Sequence, residues 1–469
     1  MTPAFDLSKL TVAEKDALIL SLLPLIGQLE AALARIADLE ARLAKFEAPP
    51  RTPDNSSLPP SKGQKTDSPA VGPKPPRKGR PGVARTLEPN PDRVVEARLD
   101  ACPHCAAAFP EERQAPAHVY DRIEMPPIKP DVTRVQLFGG RCACCGERAV
   151  ASAPAGLEPG SPFGKSIEAL VIYLHYAQAI GLERLRLVLA EIFGLSIPLD
   201  ALASGSEGAL CNILARASAP LSTAANAIAA QVTAAEVIAS DETSVRVMKK
   251  TQWEWVFVAA FAVLHVVRPS RGADVVRELF GAVRPRIWVS DSWAAQRGHA
   301  ELWQMCLAHL LRDAQYAIDC GDEGFSVALR WLLLRAIAIG RRRNTLRDTT
   351  LAQYRADLDR RLDRMLALPR RGEAAERLRR RIARDRGHLF VFITERDVPA
   401  TNNVSERALR PSVIFRKVTN GFRSEWGAQT YAAFRSVVST AKANDRSVLD
   451  DLRAALATEP NGRAVAIIG

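Results

Sequence analysis

The sequence lacks any run of about 18 uninterrupted apolar residues, the length a helix needs to cross a bilayer, so it predicts no membrane span. Its opening stretch, MTPAFDLSKLTVAEKDALIL, lacks the basic-then-apolar order and small-residue cleavage site of a secretory leader. No tandem repeat is visible. Acidic side chains are in deficit: 52 Asp and Glu face 64 Lys and Arg, giving a net charge of +12. That balance favours a polyanionic partner or an acidic membrane surface. A cytoplasmic protein is expected, in which thiols stay reduced. The eight cysteines are therefore read as metal ligands, catalytic groups or small core residues before disulfides. With 47% hydrophobic and 25% charged residues the chain can bury a core, and its length suggests several domains.

Residues 11–47 predict a helix. Leu22, Leu25, Leu29, Ala32, Ile36, Leu39, Leu43 and Phe46 recur three and four apart, an a/d seam with charges lying off it. The seam reads either as a dimerisation zipper or as a helix packed on its own chain. Pro24 either begins or kinks it. Residues 48–92 are rich in Pro, Ser, Gly and Lys, too poor in apolar surface to offset ordering entropy, and predict a linker or disordered basic arm. Within it, Lys78 and Arg80 in Lys-Gly-Arg-Pro could enter an A·T-rich minor groove, the solvated linker being the plainer reading.

Two CxxC knuckles follow, Cys102-Pro-His-Cys105 and Cys142-Ala-Cys-Cys145. Each brings two thiolates to one ion, and together they complete a tetrahedral, structural Zn²⁺ site. His104 and Cys144 compete as ligands, and a redox or incidental cluster is the alternative. HVYDRIEM and VTRVQLF supply strand-like material between the knuckles. Residues 160–235 read as helical, with Gly181 and Gly194 as punctuation.

From 237 to 292 the pattern changes to strands: VIASDETSVRV, WEWVFVAAF, AVLHVVRP, then a short helix in RGADVVRELFGAV, then RIWVSDS. Asp241 interrupts the first strand and Asp291 ends the last. A carboxylate there is costly to desolvate unless a cation compensates. This order of elements is the RNase H-like arrangement, which makes those two strands neighbours. Glu406, in TNNVSERALRPSVIFRKVTNG, is the third candidate. Three such carboxylates suit a two-metal site of divalent ions and in-line phosphoryl displacement. Thr401 or Asn402 can cap its helix. Arg407, Arg410, Arg416 and Lys417 surround it with phosphate-binding charge. Taken singly each acid reads as a turn, cap or surface charge; Glu242, Asp274 and Glu425 are the rival assignments.

In order, the zipper helix, NSSLPPS, the knuckles, SDETSVRV with WEWVFV, VSDSW, CLAHLLRDAQ, and TNNVSERALRPSVIFRK with GFRSEWGA resemble the IS66 family of bacterial insertion-sequence transposases over nearly the whole chain. The resemblance implies a DDE triad at Asp241, Asp291 and Glu406, Mg²⁺ dependence, and action on terminal inverted repeats. It implies DNA partners, both element ends and target, and accessory proteins of the same element. Cys306 and His309 in CLAHLLRD are similar to the family's Cys-x-x-His motif. They read as packing and orientation beside the site, with a second metal site as alternative, and His309 with Arg312 could contact phosphate. The chain departs from the family at Ser292 and Trp293, often Gly-Tyr there, and at Thr401, often Asp.

The expected fold class is α+β multidomain: an N-terminal coiled-coil helix (1–47), a basic linker (48–92) and a small zinc-ribbon-like domain (93–155). A helical DNA-binding or linking region (156–235) precedes an RNase H-like α/β core (236–310 and 391–455) with a helical insertion (311–390) and a tail (456–469). Within the insertion, 341–386 carries 16 arginines against seven acids, either a DNA-backbone face or a solvated amphipathic helix. The expected activity is strand cleavage and transfer by a homodimer or higher oligomer, cytoplasmic and nucleoid-associated. A non-catalytic zinc-containing DNA-binding regulator, or an RNase H-like structure-specific nuclease, is the alternative.

Overall fold

The computed structural model describes residues 11–47, 49–56, 85–197 and 208–457. Lys78, Arg80 and most of the tail lie outside the described residues. The fold is α+β, with helices around one mixed sheet and a separate small hairpin. Contacts divide it into two units. The larger holds residues 1–64, 165–179 and 214–469, and the smaller 65–164 and 180–213.

In the larger unit, α1 (Val12–Glu47) continues through Pro24. Its apolar seam is exposed at Leu22, Leu25, Leu29, Ile36 and Leu39. Val12–Leu39 is long and apolar enough to cross a membrane by length and composition alone. This qualifies the sequence expectation, because a helix with few charges passes that test without one continuous apolar run. Past the helix, residues 49–56 are not free linker. Asn55 and Ser56 are buried, Asn55 Oδ1 accepts from Thr52 N–H at 2.7 Å, and Asn55 Nδ2 donates to Asp319 at 2.9 Å.

The smaller unit carries β1 (Gly139–Arg141) and β2 (Arg148–Val150), an antiparallel hairpin astride the second knuckle. HVYDRIEM and VTRVQLF do not form strands, and no residue from 85 to 164 is buried. β-propensity alone does not make a strand where there is no partner and no core to face. After α2 (Lys165–Ile172) in the larger unit comes α3 (Leu182–Phe193) in the smaller. Gly181 precedes α3, and left-handed Gly194 (φ 62°) ends it, as the sequence punctuation predicts. α4 (Ala209–Thr233) leads into the sheet.

That sheet contains β3 (Val237–Val247), β4 (Lys250–Val258) and β5 (Val263–Arg268), antiparallel neighbours in sequence. After α5 (Asp274–Phe280), β6 (Ile287–Ser290) returns parallel to β3. β7 (Leu302–Met305), which sequence periodicity missed, pairs parallel to β6. The order is β5-β4-β3-β6-β7. The rest is helical: α6 (Leu307–Asp319), α7 (Phe325–Arg342), α8 (Asp348–Leu366), α9 (Gly372–Arg384), α10 (Val391–Thr394), α11 (Asn403–Thr419), α12 (Glu425–Ala443) and α13 (Val448–Ala457).

Strand alternation gives the sheet two faces. Phe257, Phe280 and Trp288 interlock on one, at centroid distances of 5.5–6.1 Å. On the other, Val256 and Val263 pack against Leu409 of α11. An open strand edge would leave N–H and C=O groups unpaired. Along β5, α12 supplies those partners: Thr440 Oγ1 accepts from Val263 N–H at 3.0 Å, and Ser436 Oγ from His265 N–H at 2.8 Å. At the end of α11, Asn420 (φ 59°) and Gly421 (φ 96°) adopt left-handed backbone. A Cβ on Gly421 would stand 2.4 Å from Arg246 O, so only glycine lets Phe422 pair with the end of β3.

Candidate functional site

Asp241 lies in mid-β3 opposite Val256 of β4, and so on the face that α11 covers. β6 runs parallel to β3 with Ala239 opposite Val289. Asp241 and Asp291 each stand two residues beyond that pair, at one level on neighbouring strands. The Asp291 carboxylate turns the chain out of β6 by accepting from Trp293 N–H at 2.9 Å.

Glu406 occupies the first turn of α11, where the helix dipole favours an anion. Asn402 holds the capping position, but its side chain does not cap. Nδ2 instead donates to Ser240 O at 2.8 Å, while Asn402 N–H donates to Cys306 Sγ at 3.1 Å. The start of the Glu406 helix is thereby tied both to the residue preceding Asp241 and to the start of α6. Cys306 is fully buried and burial pushes its thiol up, so it acts here as a neutral acceptor positioning Asn402. From α6, Arg312 Nη2 stands 3.6 Å from Glu406 Oε1. Burial, then Arg312, holds His309 below the ordinary imidazole range, with Asp291 and Glu406 opposing.

Burial raises Asp241 well above the usual carboxylate range, and Glu242, Asp291 and Glu406 raise it further; one hydrogen bond from Glu242 N–H opposes them. Asn402 Oδ1, Ser405 Oγ and His309 Nδ1 are buried with no hydrogen-bond partner among the described residues. Such groups are rare in folded proteins and want an explanation. The carboxylate oxygens of Asp241, Asp291 and Glu406 are the donor chemistry that fits a hard divalent cation such as Mg²⁺ or Mn²⁺. Among the described residues no three His, Cys, Asp or Glu side chains stand together as a complete ligand group.

The rival acids have other partners. Alternation turns Glu242 to the opposite face, where Arg271 Nε (2.9 Å) and Gln296 Nε2 (2.6 Å) donate to its two oxygens. Arg271 lies 4.6 Å from the Trp253 ring and 4.2 Å from that of Trp293. Asp274 accepts from Ser270 and Glu425 from Gln252. Of the basic residues expected around Glu406, Arg407, Arg410 and Lys417 are exposed. Arg416 differs: its Nη1 donates to Thr243 Oγ1 at 2.9 Å and to Ser244 O, so it fastens α11 to β3 rather than standing free for phosphate.

A second buried carboxylate escaped the sequence reading. Glu254 Oε1 contacts His265 Nδ1 at 2.9 Å and accepts from Ser412 Oγ at 2.7 Å; Tyr431 donates to Ser412, and His265 Nε2 meets Ser439 Oγ at 3.0 Å. Its trace in the sequence is the acid inside WEWVFV.

In the smaller unit the two knuckles have the same backbone. Cys102 N–H donates to Ala107 O and Ala106 N–H returns to Cys102 O, both at 2.8 Å; Cys142 with Glu147 and Gly146 repeats the pattern at 2.9 Å. The residue after each second cysteine, Ala106 (φ 57°) or Gly146 (φ 72°), is left-handed. The equivalence makes Cys145, not Cys144, the counterpart of Cys105. Backbone N–H groups of His104 and Cys105 hold the Cys102 thiol below its ordinary range, and those of Cys145 and Cys144 do so for Cys142. Thiolates so prepared fit Zn²⁺.

A family model described as Transposase IS66 family matches residues 160–430, more than half of the chain. The match takes in the whole sheet and Asp241, Asp291 and Glu406, while the knuckles precede it. No curated protein matches. The chain belongs to the IS66 family of transposases.

Proposed function

We propose that this transposase cleaves DNA at insertion-sequence ends and joins the freed 3′ ends to target DNA, with Asp241, Asp291 and Glu406 as the metal-binding carboxylates. The observation that carries this reading is geometric: Asp241 and Asp291 stand at one level on neighbouring parallel strands, the start of the Glu406 helix is tied to Ser240 beside Asp241, and the acids around the half-buried Asp241 add to its raised value. Carboxylates gathered in this way repel one another, and a bound cation would compensate that repulsion. The strand order β5-β4-β3-β6-β7 supports an RNase H-like core, in which the connection from α6 to α10 is a helical insertion.

Divalent metal held there would neutralise charge at the scissile phosphate and activate the attacking oxygen. In cleavage a water oxygen bonds to phosphorus and the bond from phosphorus to the 3′ oxygen breaks, freeing a 3′-hydroxyl. In joining, that hydroxyl attacks a target phosphodiester and displaces another 3′ oxygen. Asn402 and Cys306 hold Glu406 in register with Asp241, and Arg312 limits the swing of its carboxylate. Arg407, Arg410 and Lys417 are the exposed phosphate contacts, and Lys78 with Arg80 is the proposed minor-groove arm.

The knuckles are proposed to close around one structural Zn²⁺ through Cys102, Cys105, Cys142 and Cys145, supplying the stability that a stretch without buried residues cannot. Chelation or Cys102→Ser is expected to release one zinc per chain and open residues 85–164 to protease; full zinc retention by the variant would refute the assignment. The exposed seam of α1 is proposed to pair two protomers, so that both element ends are processed together. The protein is expected in the cytoplasm at the nucleoid, with accessory proteins of the element as further partners.

The decisive test is Asp291→Ala. It is expected to abolish strand transfer while leaving end binding intact, and normal joining by this variant would defeat the reading. Binding without cleavage of a pre-nicked end by the wild-type protein would favour a non-catalytic regulator instead, and preference for four-way junctions a structure-specific nuclease.

A further inference from the structure

The arginine-rich stretch of the helical region is not uniform. α8 carries four arginines and four aspartates, and its surface is laced by pairs such as Arg355–Asp359 and Arg361–Asp357. That is a solvated, self-balanced helix. α9 carries five arginines and two glutamates. It buries Ala375, Leu378 and Ile382 and turns Arg377, Arg380, Arg381 and Arg384 to one side, at the i, i+3, i+4, i+7 spacing of a single helix face.

That face lines a cleft of about 580 Å³ between α9 and α6. Tyr316 of α6 also lines it, and Arg51 places its guanidinium 5.1 Å from the Tyr316 ring. Arg51 belongs to the segment pinned by the Asn55–Asp319 hydrogen bond, so that segment contributes to the cleft. Five arginines thus face a single lining carboxylate, Asp313. Each α9 arginine of the row has one carboxylate in reach, Arg377 through Glu373 and Arg381 through Asp313 itself, but the other acids are shared. Glu376 is shared among Arg370, Arg379 and Arg380, and Asp385 between Arg384 and Arg297. With five donors on each guanidinium, most remain unused. One end of the row reaches the candidate site: Arg381 Nη1 stands 3.3 Å from Ser292 Oγ, and Arg297 Nη2 donates to Ser292 O at 3.1 Å, directly beside Asp291.

We propose that this cleft is a track for DNA backbone, in which Arg51, Arg377, Arg380 and Arg384 bind successive phosphates of the strand leading away from the reacting phosphodiester. The proposal rests on the reading of Asp241, Asp291 and Glu406 as the reaction centre. From Arg377 to Arg384 the helix rises about 10 Å, equal to roughly three base-pair steps measured along the axis of a B-form duplex. Contacts of this kind position DNA without reading its sequence. They confer salt dependence, each neutralised phosphate adding about 0.9 to the slope of log affinity against log salt for duplex.

The test measures binding of the full-length, zinc-loaded protein to a labelled random-sequence duplex, without added magnesium, between about 50 and 200 mM salt. The triple variant Arg377→Gln, Arg380→Gln, Arg384→Gln keeps good helix formers on α9. It is expected to lower the salt slope by about two to three and to weaken binding at least tenfold at the lower salt. Arg51→Gln lies outside every helix and alone should lower the slope by about 0.9, so a folding defect in the triple variant leaves the proposal testable. An unchanged slope in both variants overturns it. Weaker binding to an acidic polypeptide with DNA binding intact would assign the cleft to a protein partner and also overturn it. Because no catalytic step is read, failure here is separable from failure of the reaction centre, which joining by Asp291→Ala would reveal.

Discussion

Two carboxylates, one buried and one half-buried, project from neighbouring strands of one sheet toward the same covering helix, and their surroundings are opposite. Glu254 on β4 is enclosed by His265, Ser412, Tyr431, Ser439 and Arg435, each of them fitted to it or to a group that touches it. Asp241 on β3 has one backbone N–H and three acids. A buried charge with complete partners holds structure, because removing it strands the groups around it. A carboxylate crowded among like charges weakens the fold instead, which is the pattern expected of a site that receives a cation. Burial alone does not separate a structural acid from a functional one; the inventory of partners does.

Substitution at the two positions should therefore have inverse effects. Asp241→Asn is expected to cut strand joining by about a thousandfold or more, equivalent to several kcal/mol of lost charge stabilisation. Its melting temperature in metal-free buffer should equal or exceed that of the wild type. Added magnesium should raise the wild-type melting temperature by preferential binding to the folded state and leave the variant where it was. A variant that melts lower and gains as much from magnesium would erase the contrast.

Glu254→Ala should do the reverse. Loss of the acid leaves His265 and Ser412 buried without their partner, at a cost of about 1–3 kcal/mol for each unsatisfied group, visible as an earlier denaturant midpoint. Joining per folded molecule should stay within a fewfold of normal. Destabilisation well under about 1 kcal/mol would mean that the network is ornamental.

The smallest effect concerns pH. Burial holds His265 below its ordinary value of 6.5, against the opposing pull of Glu254 and with Arg435 adding to the depression. The unfolded chain then takes up a proton that the folded one resists. His265 therefore contributes fully above about pH 6.5, and its contribution is lost as pH falls below that value toward the depressed one. Stability measured by denaturant should decline through this window, and less steeply in His265→Gln. Parallel declines in both proteins would place the acid sensitivity elsewhere.

Much of the architecture was legible in the chain because its signals are local. β3, β4, β5, α5 and β6 follow from alternation and turn residues, and the helices from their apolar spacing. β7 was missed because Leu302–Met305 is too short to show a period; it exists because β6 offers it an edge. The opposite error arose at HVYDRIEM and VTRVQLF, whose β-branched residues had no sheet to join. The rule that singled out Asp241, an acid interrupting an apolar strand, applied equally to Glu254 in WEWVFV. Sequence could not tell them apart, since the partners of Glu254 come from residues far along the chain. Glu242 was separable in principle by alternation once the register with Trp255 was known, but register is a tertiary fact.

The sequence by itself determined most of the elements, the family, the paired knuckles and the acids from which a site could be built, because periodicity and short spacing are read within a few residues. Only the tertiary structure decided which acid has partners and which stands among like charges, that Arg416 fastens a helix, and that the arginine face of α9 opens into a cleft beside Arg51. Those outcomes depend on which surfaces meet, and burial, charge repulsion and hydrogen-bond completion exist only between groups that folding has brought together.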